Sequence, residues 1–459
     1  MNSLEESEPW ETPLEPFVPW GSPDDHFKLF EGPVGLRVSG FDLAQVPGQI
    51  TFLLRAGSDL DWAVDLSAVD AETVSEWSRS YVPTERAASQ LYFNFLGHSV
   101  TAPTWRTSWD RGFISPPDRS NQQRTLARAV AQWVNLPDLG GETLLHRVEA
   151  DGMWREWRGR WTLDLPPWRV VLDRRKDLDE VYREAKKTSL SVPTHMMQIS
   201  RSSGVFSSED AEHLVGGLQM AFSFALGRWT APFLIVGMDE ADRPVYSNWA
   251  PRLIDLPRRD AGRWWPTSRH QDLPHYLSSF LPMWDDETEQ DVLKFLVTSA
   301  LAASQRVVVE QRLMTTVAAI EYLSWVDEVL GGRLTEHKWR YKKSSAQRIR
   351  RLLDRAQIPV AINVKRTPSL AAFAEDADLT DGPAVIAEIR DAVTHPKDRR
   401  RLYGVDNPIV EASRLSARYL DLLILHRIGY RGYTADRTHV TGWVGESDHQ
   451  VPWMTRETG

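Results

Sequence analysis

From Val34 to Asp70 apolar and polar residues alternate in short runs broken by turns, as in VGLRVSG, QITFLLRAGSD and WAVDLSAVD. A period of two predicts short strands there. The residues from 120 to 135, beginning SNQQRTLARAVAQWV, carry apolar positions at helical spacing and predict a helix. WREWRGRWTLDLPPWRVVLD (154–173) returns to strand character, and VPTHMMQISRSSGVF (192–206) reads as a strand and a turn. In FSSEDAEHLVGGLQMAFSFALG, Ser207 is placed to cap a helix, with Asp210 three residues on; Gly227 suits the position after its end. APFLIVGMDEADRPVYSNW reads as a β-hairpin, so the first 265 or so residues predict a β-rich fold with a few helices.

The pattern changes after a Pro-, Arg- and Trp-rich stretch without periodicity. Residues 263–285 of that stretch read as a linker. Beyond it, helices are expected at about 286–303, 305–330 (stopping at Gly331-Gly332), 344–357 and 368–376. Another starts at Pro383, and a last one covers 408–428. The expected organisation is α+β: an acidic flexible arm (1–29), an α+β sensing or regulatory domain (30–262), the linker, an α-helical bundle (286–430) and a tail (431–459) that adds a strand or packs back on the bundle.

Composition narrows the chemistry. The 459 residues contain no cysteine, which excludes disulfides, thiolate nucleophiles and Cys-based zinc sites. The N-terminus is acidic and Pro-rich, unlike a secretory or transit peptide, and no apolar run approaches a bilayer span. A cytoplasmic protein with no membrane association is expected. Net charge is −9, yet RLTEHKWRYKKSSAQRIRRLLDR (333–355) holds nine Lys or Arg and two acidic residues. Clusters of this kind bind phosphate backbones. Lys338, Arg340, Lys342, Lys343, Arg348, Arg350, Arg351 and, further on, Lys397 are candidate RNA contacts, with Trp339 and Tyr341 interleaved as stacking surfaces.

The informative motif is EIRDAVTHPKDRRR (388–401). Arg390 shares the helical stripe of Ile386, Ile389 and Val393. A lone guanidinium in a core is unfavourable, so Arg390 requires either a buried carboxylate, for which Glu321 is available, or a seam open to an anion. His395 precedes Pro396, which pushes it out of helical geometry and frees the imidazole to turn towards Arg390. An imidazole able to move the 2′-hydroxyl proton and a guanidinium stabilising charge on phosphorus suit metal-free RNA cleavage. Asp391 is placed to orient one of them. Two other Arg/His pairs, Arg269/His275 and Arg263/His270, fall in the expected linker, off any helix. His195, beside Thr194 in a strand, reads as structural, and no spacing of Asp and Glu singles out a pair for glycoside chemistry.

A helical bundle carrying Arg390-Asp391-Ala392-Val393-Thr394-His395 followed by proline resembles the HEPN superfamily and its R-x(4–6)-H motif. PTHMMQISRSSGVFSSEDAEHLVGGLQMAFSFALGRWTAPFLIVG resembles the N-terminal domain of ApeA-type HEPN defence proteins. The first resemblance covers about 285–430 and the second about 150–250. Together they imply a metal-independent endoribonuclease of an antiphage or toxin system, without cofactors, acting on RNA as a homodimer. Arg390 and His395 would be catalytic, and the N-terminal domain would respond to a phage-derived or other trigger. Where the family often has Asn after the arginine, this chain has Asp391. The alternative reading is a non-catalytic bundle that binds RNA or protein, with a ligand-binding β domain.

Overall fold

The computed structural model describes residues 10–21, 26–38, 41–54, 60–80, 89–95, 97–115, 123–149, 151–250, 252–257, 262–395, 402, 407–438 and 445–454. The fold is α+β, and the chain divides into two compact units. Unit 1 is Met1–Gly216 with Thr230–Arg259; unit 2 is Gly217–Trp229 with Asp260–Gly459.

Unit 1 begins with a closed barrel. Its strands are β1 (His26–Val38), β2 (Phe41–Leu53), β3 (Leu60–Val64), β4 (Ser89–Phe95), β5 (His98–Arg106) and β6 (Arg111–Ile114), joined in the order β1-β2-β3-β6-β5-β4. Alternation directs Leu36, Ile50, Leu91 and Phe93 into the core and leaves Gln90 and Asn94 outside. The register of β1 against β2 shifts twice, between Lys28 and Phe30 and between Val34 and Leu36; such bulges bend strands and assist closure. Gly35 faces Tyr92 across the β1–β4 pair, where a Cβ would come within 2.0 Å of the ring. Helix α1 (Ala71–Arg79), capped by Asp70, buries Trp77 completely.

A seven-stranded antiparallel sheet follows. It comprises β8 (Arg128–Val134), β9 (Thr143–Val148), β10 (Trp154–Leu165), β11 (Trp168–Arg174), β12 (Pro193–Arg201), β14 (Pro232–Met238) and β15 (Pro244–Asn248), in the order β15-β14-β8-β12-β11-β10-β9. Phe233 on β14 packs against barrel residues Phe27 and Phe52, joining barrel and sheet in one core. The helix expected at 120–135 is instead two strands, the short β7 (Thr125–Leu126), which pairs with β13 (Phe206–Ser207), and β8. β8 lies between β12 and β14 and is buried on both sides from Ala129 to Val134, mostly with apolar residues, so the period of two disappears. Helix α2 (Leu178–Thr188) follows β11. Helix α3 (Ser208–Leu226) begins with a reciprocal pair of bonds: the Asp210 amide donates to Ser207 Oγ and the Ser207 amide to the Asp210 carboxylate, both at 3.0 Å.

The described part of the N-terminal arm is a docked strap. Glu11 forms a bridge with Leu145 at the β9 edge, Val18 is buried, and the Leu14 amide donates to Asp173 Oδ2 at 2.7 Å. Two of the acidic residues that suggested a solvated arm are ion-pair partners: Glu11 meets Arg160 and Glu15 meets Arg147. Residues 1–9 lie outside the described set.

Unit 2 is helical: α4 (Asp272–Asp285), α5 (Glu287–Ser304), α6 (Val309–Trp325) continued by a π-helical turn (Val326–Leu330), α7 (Glu336–Lys342), α8 (Ser345–Arg355), α9 (Pro368–Asp376), α10 (Gly382–Thr394) and α11 (Pro408–Arg427). Strands β16 (Tyr433–Ala435) and β17 (Asp448–Gln450) pair in the tail. The span read as a linker, 263–285, is core. Trp264 and Trp265 are buried, α4 buries Tyr276, Leu277 and Phe280, and Trp264, Tyr276 and Tyr430 form an aromatic cluster. His275, taken as off any helix, sits on α4, and its Nε2 accepts from the Arg431 amide. Pro274 and Pro282 lie within α4, which hid the helix from a reading that treats proline as punctuation.

Candidate active site in the helical unit

Three helices contribute to the candidate site. α10 is capped by Asp381, whose Oδ1 accepts from the Ala384 amide at 2.9 Å; it buries Ile386 and Ile389 and ends at Thr394. His395 leaves helical geometry at φ −129°, ψ 66°, with its amide donating to Asp391 O at 2.7 Å, the break expected before Pro396. The imidazole is exposed. Among the described residues no hydrogen bond or ion pair joins Arg390 to His395; Pro396 and Lys397 lie outside them.

Arg390, 23% exposed at the side chain, takes the carboxylate escape. Its Nη2 lies 3.6 Å from Glu321 Oε1 on α6, and its Nε 3.2 Å from Asp391 Oδ1. Arg348 on α8 approaches the same Glu321 oxygen, also at 3.6 Å. Both separations exceed hydrogen-bond range, and this buried oxygen accepts no hydrogen bond. Two guanidiniums thus share one half-buried carboxylate, while the second carboxylate, Asp391, is 57% exposed and screened by solvent. Burial lowers the pKa of Arg348; Glu321 opposes this and Arg390 adds to it. Asp391 contacts Arg390 rather than the His395 ring.

Sequence reasoning did not assign Arg348 to this cluster. Its guanidinium lies 4.0 Å from the Trp339 ring centroid and donates to the carbonyls of Trp339 and Arg340 at 3.2 and 3.0 Å. Trp339 in turn donates Nε1–H to Ser324 Oγ at 3.1 Å. Trp339 therefore packs against its own unit, whereas Tyr341 is exposed. The signal was present: Trp339 and Arg348 are nine residues apart across a Lys-Lys-Ser-Ser turn, and Ser344 with Gln347 forms a capping box at the start of α8.

Several of the remaining basic residues are ion-paired. Arg350 makes two bonds to Asp381, at 2.6 and 3.0 Å, and that hydrogen bonding raises its pKa. Arg351 pairs with Glu328 at 2.8 Å, and Arg340 with Glu336 at 3.1 Å. Arg355 joins Glu328 and Asp327 of the π-helical turn, and Arg427 joins Asp327 and Glu289. Lys338 is exposed, Lys343 is half-buried at the end of α7, and Lys342 lies within α7. Among the described residues no group of three or more His, Asp or Glu side chains is placed to hold a metal ion, and no helix is long and apolar enough to cross a membrane.

Residues 121–260 match the YopA central domain, and residues 286–450 match the YopA C-terminal domain. A Bacillus subtilis (strain 168) protein described as "SPbeta prophage-derived uncharacterized protein YopA" is 27% identical over 308 residues, 66% of this chain and 68% of that one. No solved structure matches the chain. None of these descriptions speaks to RNA, to cleavage or to the HEPN superfamily.

Proposed function

We propose that unit 2 is a metal-independent endoribonuclease of the HEPN type, acting in the cytoplasm as a homodimer under the control of unit 1. The observation that supports this reading is the sharing of Glu321 by Arg348 and Arg390 next to a helix end that leaves His395 exposed. A guanidinium beside a shared carboxylate retains donors for phosphate, and an exposed imidazole serves as general acid or base. The relative named above is prophage-derived, a genetic setting in which a nuclease triggered by a competing phage has a use.

One observation favours the other reading, a non-catalytic RNA- or protein-binding module: Arg390 already has carboxylate partners. Cleavage of a labelled RNA in the presence of a chelator separates the two. His395→Ala is expected to lower the rate by about 10²–10⁴-fold and Arg390→Ala by roughly 10²–10³-fold, with melting temperature unchanged for the histidine variant. Glu321→Gln is the control for structural coupling, and its expected effect is on stability first. A chelator-resistant activity that survives His395→Ala, or the absence of any RNA cleavage by the wild type, rejects the enzyme.

A further inference from the structure

The strap and the sheet of unit 1 enclose a cleft of about 240 Å³, room for roughly eight waters at ~30 Å³ each. Two indoles line it, Trp20 from the strap and Trp157 from β10. Trp157 is fixed by donating Nε1–H to Arg174 O at 3.0 Å, and Arg175 lies 5.3 Å from the Trp20 ring centroid. Four cations line the same space: Arg147, Arg174, Arg175 and Lys176.

These cations are not equivalent. Arg175 is buried and engaged by two bonds to Asp177 and by donation to the carbonyls of Gly21 and Pro193. Asp173, 2% exposed, is held by Arg160 and by the Leu14 amide. Those groups form the frame. The other three cations pair with carboxylates nearer solvent: Arg147 with Glu15 (62% exposed), Arg174 with Asp138 (43%) and Lys176 with Glu149 at 2.5 Å. Arg147 (37% exposed) and Lys176 (45%) are themselves solvent-accessible, and exposed ion pairs contribute little net stability, so an entering anion exchanges with those two at small cost, while Arg174 (16%) is the more enclosed cation. Flat indole faces beside exchangeable cations select a ligand that has both a π-system and a negative charge.

We propose that this cleft binds a small aromatic anion, its ring against Trp20 and Trp157 and its charge on Arg147, Arg174 and Lys176. The strap would then be part of the binding site. The inference is independent of the nuclease reading, because its residues belong to unit 1 and Arg390 and His395 to unit 2.

Calorimetric titration of the full chain with indole-3-acetate, uridine 5′-monophosphate and adenosine 5′-monophosphate tests it and distinguishes a carboxylate from a nucleotide ligand. At least one probe is expected to bind at submillimolar concentration. Trp20→Ala and Lys176→Glu are each expected to weaken that binding roughly tenfold or more. Lys176 is exposed, so its variant keeps the test valid should Trp20→Ala fail to fold. Three results overturn the proposal: no binding of any probe, binding that neither variant weakens, or binding of ribose 5-phosphate and acetate as tightly as the aromatic probes.

Discussion

Glu321 illustrates how much of the site a single residue explains. An arginine on the buried stripe of α10 signalled an unusual environment, and the acidic residue inside the apolar run AAIEYLSWV was the natural partner; both were legible as departures from an apolar pattern. Arg348 was harder to read: the turn and capping box between Trp339 and Arg348 hinted at their contact, but a run of basic residues gave no sign that Arg348 also reaches Glu321. His195 was legible as structural, and it yields a prediction. Fully buried on β12, it has its pKa pushed down to about 3 by desolvation, with Asp138 opposing and Arg174 reinforcing. Its folded pKa lies below its unfolded value near 6.5. As pH falls below the unfolded value, the unfolded chain takes up a proton that the folded chain refuses, so stability is lost, by about 1.4 kcal/mol per pH unit until the folded pKa is reached. His195→Leu is expected to flatten that acid limb in urea-midpoint measurements, and a limb of unchanged slope would assign the acid sensitivity to other groups.

Among elements, the readings that succeeded had local signals and those that failed needed tertiary knowledge. The end of α3 at Gly227 was legible because its φ of +62° is one that glycine adopts readily. A Cβ at that position would lie 2.2 Å from Gly262 O, so Gly227→Ala combines left-handed strain with a backbone clash. Its expected penalty is roughly 2–4 kcal/mol, read as a lowered urea midpoint with unchanged slope. The strands β7 and β8 were taken for a helix, since burial on both faces removes the alternation that marks a strand. Helix α4 was missed for a different reason: two prolines and the adjoining tryptophan pair resemble linker composition, although Trp264, Trp265 and Tyr276 are wholly buried. The strap was missed because acidic residues predict solvent unless their arginine partners on distant strands are known.

At the scale of the whole molecule, sequence order and unit boundaries do not coincide. The segment Gly217–Trp229, the second half of α3 and the turn beyond it, belongs to unit 2, although its flanks on both sides belong to unit 1. Tyr276 Oη donates to Ala221 O at 3.0 Å, a bond between that segment and α4. A fragment starting at residue 286, where the C-terminal domain match begins, lacks this segment, α4 and the Trp264–Tyr276 part of the aromatic cluster. Each lost aromatic pair is worth ~0.5–1.5 kcal/mol beyond the area it buries, out of a typical domain stability of ~5–15 kcal/mol. The fragment is expected to keep far-UV helicity while losing near-UV dichroism and binding a hydrophobic dye; a sharply melting, dye-silent fragment would show that the omitted pieces are dispensable. The same interleaving bears on inheritance. A recombination that replaced the front of this gene at a single point between residues 229 and 286 would part the rear fold from its own 217–229, so the two halves are constrained to travel and diversify together.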